Sequence, residues 1–181
     1  MDYCAGLFRL GATGDSNGRS KDATVDQMTP RDTFNILVLP SMQDCEADHG
    51  ARHCAVSALC HIDALAEEVW HTTNKPEGSK RRYRDTLRAK CAELRYAWDV
   101  HDIHKHGMLD RRVPVLPNGR RPEVAHIGGA FQSNVFQATA FQVGSPDVVL
   151  TLQDGTTVRA LDVIKTCVGW WDAEVRQLGW P

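Results

Sequence analysis

His101, His104 and His106 stand within six residues, interleaved with Asp102 and Lys105 and preceded by Asp99. Imidazole, carboxylate and ammonium groups set this close can move protons near neutral pH, ligate a transition metal or hold an anion. Two further groups invite the same question. His49 and His53 are four residues apart, the spacing that puts two side chains on one face of a helix. Arg95 and His101 enclose five residues, which sets an arginine and a histidine in one short segment.

The elements that must position these groups follow from periodicity. Thr29-Pro30-Arg31-Asp32 has an N-cap, a proline for the first helical position and a capping-box acid, so ordered structure is predicted to begin there, as a helix kinked or broken near Pro40. Ala55, Ala58, Leu59, Ile62, Leu65, Ala66 and Val69 form one apolar face, predicting a helix over His49–Thr72 with Asp48 as its cap. Ser79 can cap a second long helix whose stripe runs Tyr83, Leu87, Cys91, Leu94 and Trp98. A short connection makes the two an antiparallel hairpin. Asp63, Glu67 and Glu68 on the first helix then oppose the basic segment KRRYRDTLRAK on the second.

Extending that stripe at about 100° per residue carries it into His101 and Lys105, with Asp102 at its edge. The row predicted to face the core therefore turns polar, and polar groups there need partners. His104, Lys105, His106 and Gly107 also read as an ordinary helix end, with cations in the last turn and glycine beyond it. In the hairpin, His49 and His53 come level with the region Asp99 to Ile103, giving donors that suit zinc or iron. Glu68 and His71 lie at the opposite end and have no second copy.

After Gly107 the pattern changes to short extended stretches. Pro117-Asn118-Gly119 and Asp154-Gly155 mark turns, and Phe131, Phe136 and Phe141 repeat at a five-residue step. A last helix is expected from about Asp162 to Leu178, with Ile164, Val168, Trp171 and Val175 on one face. Helices, a small antiparallel sheet and a closing helix make an α+β fold. Residues 1–28, rich in Gly, Ser, Asp and Thr, are expected to be a disordered tail, and 29–181 one domain.

Composition excludes more than it identifies. A net charge of -2 supplies no global attraction to nucleic acid or anionic lipid, and no apolar run reaches the ~20 residues of a membrane helix. Six cysteines without a Cys-x-x-Cys spacing suggest unpaired thiols in a cytoplasmic setting. No phosphate loop, nucleophile elbow or dinucleotide fingerprint is present, and no cofactor is expected.

The segment from Trp98 to Arg112, WDVHDIHKHGMLDRR, followed by strands and a tryptophan-bearing helix, resembles a group of uncharacterised bacterial and phage-associated proteins. These carry an R-D-x-x-N-x-x-K-H pattern at the end of a long helix. Asp99, Lys105 and His106 match it, while Trp98 replaces its arginine and Asp102 its asparagine. The Arg95/His101 spacing is similar to that of HEPN-type ribonucleases, which are helical bundles. That resemblance implies metal-independent attack by an RNA 2′-hydroxyl, His101 acting on the proton and Arg95 on the phosphate. Three functions follow. In the preferred one the chain is an accessory or interaction protein whose cluster (Asp99, Asp102, Lys105, His106) is structural. The second is the ribonuclease, with RNA as partner and a homodimer able to complete the site. The third is a metal-binding helical bundle using His49, His53 and the Asp99–His106 region.

Overall fold

The computed structural model describes residues 28–73, 78–109, 114–127 and 145–179. The Phe131, Phe136 and Phe141 repeat and the N-terminal segment 1–27 lie outside them.

The first helical stretch begins as predicted. Thr29 Oγ1 accepts from the Asp32 amide, and the Thr29 amide donates back to Asp32 Oδ2 at 2.8 Å. α1 (Pro30–Thr33) then runs through a π turn (Phe34–Val38) into α2 (Leu39–Ala47), so the helix is distorted just before Pro40 and not broken there. The reason lies in proline itself. It has no N–H for the Ile36 carbonyl and would crowd it in a regular helix. The turn widens instead, and the Leu39 amide reaches five residues back to Phe34 O. Phe34 and Val38 are buried while Ile36 and Leu37 project outward.

α3 (Arg52–Thr72) buries the whole predicted apolar face. Its start differs from expectation. Ala51 is the N-cap, and Asp48 accepts from the Gly50 amide three residues earlier, so His49 precedes the helix. The second long helix is two helices. α4 (Lys80–Lys90) starts at the Ser79 cap and stops at Cys91, whose backbone is extended. α5 (Leu94–His106) restarts three residues on and ends at Gly107, in the left-handed region at φ +75°. No glycine or proline dictates this break. Packing does, since Cys91 and Leu94 are both buried, and the Cys91 thiol donates to Glu93 Oε2 at 3.5 Å. α3 packs most closely on α5 and only lightly on α4.

The sheet has the order β1 (Glu123–Ile127), β2 (Ser145–Thr151), β3 (Thr157–Arg159), antiparallel throughout. Gly155, at φ +83°, supplies the turn predicted between β2 and β3. α6 (Ala160–Gln177) starts two residues before the expected Asp162 and packs on α2, α3 and β2. Trp171, Ile164 and Cys167 lie at its fully buried centre. The Val148 amide donates to His49 O at 3.0 Å, tying the sheet to the segment before α3. The architecture is α+β, with a small antiparallel sheet inserted before the closing helix.

Candidate functional site

The break at Cys91 changes which side of α5 faces inward. Its buried residues are Leu94, Ala97, Asp99, Val100 and Ile103. The row Trp98, Asp102, Lys105 lies outward, with Trp98 and Asp102 half-buried and Lys105 exposed. The expected polar row on the core face is therefore corrected: it was obtained by carrying the phase of α4 through a helix end. Of its three members, His101 contacts a buried charge in α3.

That contact organises the site. Asp63, on the edge of the apolar face of α3, has a side chain 5% exposed. Its Oδ2 accepts from His101 Nδ1 at 2.6 Å and from the Arg84 guanidinium at 3.0 Å. A carboxylate can only accept, so the imidazole carries its proton on Nδ1. Three elements thus converge on one oxygen: α3 supplies the acid, α4 the arginine and α5 the histidine. Glu67, one turn along α3, takes Lys80 in a hydrogen bond and lies 3.8 Å from Arg84. Chiefly through the Lys80 bond, its carboxyl is held below the usual range.

Trp98 closes the outer side. The Arg88 guanidinium lies 3.9 Å and that of Arg84 5.0 Å from its ring centre, a cation–π arrangement. Asp63, Arg84, Arg88 and Trp98 rim a cleft floored by Ile62 and Leu87. Arg84 Nε is buried there without an acceptor. The cleft has room for only about 10 Å³, far below the roughly 300–1,000 Å³ of small-molecule sites.

The other candidates have separate roles. Asp99, 2% exposed, points to the opposite side of α5 and accepts from the Val115 and Leu116 amides at 2.7 and 3.1 Å. It fixes the strap that follows the helix. His104, Lys105 and His106 are exposed in the last turn before Gly107, the helix-end arrangement anticipated from sequence. Arg95 is exposed on the outer face of α5, about 240° from His101 on a regular helix, whereas His101 turns to Asp63. His53 is exposed beside Cys54, with Nε2 3.3 Å from the sulfur, and His49 is exposed. Among the described residues no group of three or more His, Cys, Asp or Glu side chains is disposed to hold a metal ion.

A second polar pair was not anticipated. Ser41 Oγ donates to Leu37 O at 2.7 Å and lies 2.8 Å from His61 Nδ1. With the hydroxyl proton on Leu37 O, His61 must donate through Nδ1. Burial first, and then the neighbouring His101, lower the tendency of His61 to take a second proton. The sequence did carry a sign of Asp63, which stands four residues after Leu59 and three before Ala66 on a face otherwise apolar.

No protein-family model, curated protein or solved structure matches the chain. Among the described residues no helix is long and apolar enough to cross a membrane.

Proposed function

We propose that this chain is a non-enzymatic accessory or interaction protein in which the Asp63 network fastens α3, α4 and α5 together. One observation carries the reading: the acid at the centre already accepts from the Arg84 guanidinium and from His101 Nδ1 within its own fold, and the cleft above it is too small for a substrate. A buried carboxylate paired this way is costly to disturb and has no reason to act on a ligand. Five described cysteines, all free thiols, suit the reducing cytoplasm.

A fluorogenic RNA assay in chelator tests this. Wild type, His101→Ala and His104→Ala should all lack turnover above background, while His101→Ala should lower the melting temperature. Turnover in wild type that disappears in folded His101→Ala and persists in His104→Ala would overturn it.

That outcome would install a second reading, metal-independent ribonuclease chemistry at His101. It is favoured by the Asp63 bond to Nδ1, which leaves Nε2 as the position for proton transfer on a side chain 26% exposed. Here Arg84, rather than Arg95, is the arginine that shares a partner with His101.

A further inference from the structure

α4 is attached to the body differently from α3 and α6. Of its eleven residues only Tyr83 and Leu87 are buried. α3 buries nine of 21 and α6 eight of 18. The remaining ties of α4 are mainly ionic. Lys80 bonds Glu67 and Arg84 bonds Asp63, both on α3, and Lys90 Nζ lies 3.3 Å from Glu174 Oε1 on α6. Arg84 and Arg88 add their cation–π contacts to the Trp98 ring on α5. Lys80, Glu67 and Lys90 are each more than two-fifths exposed, so the two outer pairs are open to screening by salt. The Asp63–Arg84 bond is shielded and weakens less.

The seam beneath α4 is incompletely filled. The cleft lies along it, between Arg84, Leu87 and Arg88 from α4 and Ile62, Ala66 and Trp98 from the body. Arg84 Nε is buried without an acceptor in the closed arrangement, a cost that water relieves when the seam parts. A pivot is also present. Cys91 is extended, at φ -136°, where one helix stops and the next has not begun. Cys91 and Leu94 are buried, which anchors the joint in the core while the helix before it is free to turn.

We propose that α4 is a salt-sensitive lid, which swings as one unit about Cys91–Glu93 and uncovers Ile62, Ala66 and the Trp98 ring. α3, α5 and α6 keep their mutual packing, because the core contacts among them do not pass through α4. Few buried apolar groups and a surface held by charge are the marks of an element that opens below the cost of global unfolding. The Asp63–Arg84 bond is the latch, and the outer pairs set how the closed state responds to ionic strength. The motion is independent of whether His101 turns over RNA.

Hydrogen exchange of the full chain, read residue by residue by NMR at about 30 mM and about 300 mM salt, tests this. Amides from Arg84 to Lys90 should exchange through one common opening, at least about tenfold faster than those from Ile62 to Val69. Salt should raise that exchange about threefold and leave α3 and α6 unchanged. Lys90→Gln, at an exposed position, cuts the pair at one end of α4 and should raise exchange about threefold along the whole of Arg84–Lys90. Lys165→Gln cuts a comparable pair between α6 and Glu46 of α2 and should leave α4 unchanged. Protection of α4 equal to that of α3 overturns the lid, as does exchange indifferent to salt. A rise in Lys90→Gln confined to the last turn overturns it too, since that is fraying of a helix end.

Discussion

Replacing Asp63 by alanine removes the acceptor on which three helices converge. The cost can be bounded from its surroundings. Deleting one partner of a buried pair commonly costs about 3–5 kcal/mol because the other charge is stranded. Here the stranding is partial. Arg84 retains its place beside the Trp98 ring and has Glu67 3.8 Å away, and its side chain is 17% exposed. His101, at 26% exposure, can turn its nitrogen to water. The two lost hydrogen bonds share one oxygen, so their separate values of about 1.5–3 kcal/mol do not simply add. A loss of about 2–3 kcal/mol is expected, equivalent to about 5–10 °C in melting temperature for a chain of this size. Urea unfolding followed by far-ultraviolet circular dichroism measures it. Asp63→Ala crossed with Arg84→Ala and with His101→Ala should give coupling energies of about 1 kcal/mol or more each. A cost below about 0.5 kcal/mol, or zero coupling to both partners, would mean that the network does not fasten the helices.

Three other outcomes follow from the structure. His61 is held below its ordinary value by burial, so the unfolded chain takes up the proton first. The stability this contributes is complete above about pH 6.5 and is lost as pH falls through the lower native value. The urea midpoint of wild type should therefore drop more between about pH 7.5 and about pH 5 than that of His61→Gln. Gly107→Ala should cost about 1 kcal/mol by thermal denaturation, because φ is +75° and no neighbour is in the way of a methyl group. Burial pushes the Cys45 thiol up to about 12, so iodoacetamide at mildly alkaline pH should label it in urea and spare it in the native protein, as read by peptide mass spectrometry.

The helices were legible wherever the face they bury is set by local spacing. The apolar face of α3 and the Thr29 and Ser79 caps come from residues three or four apart, and so does the Gly107 terminus. The sheet's turn at Asp154-Gly155 was equally local. What escaped was non-local. No residue at Cys91 marks a helix end, and the break falls where Cys91 and Leu94 are buried in the core built by distant parts of the chain. Missing it rotated every side chain of α5 in the projected wheel, which sent Lys105 inward and overlooked Ala97, Val100 and Ile103. The same limit applied to the site. Asp63 and Arg84 were legible as opposing charges on facing helices, but a shared oxygen with His101 requires the true phase of α5. Arg95 and His101 drew notice through spacing alone, which carries no information on direction.

The π turn before Pro40 amounts to one residue of stored length. A uniform helix with that residue added would rotate everything beyond it by about 100°, carrying Ser41 away from His61 and Cys45 out of the core. The widened turn absorbs the rotation locally, so α1 and α2 keep independent alignments to the body of the protein. Chain length in this helix is thereby uncoupled from register. The exposed pair Ile36 and Leu37 marks the place where a single insertion or deletion is least disruptive to the faces on either side.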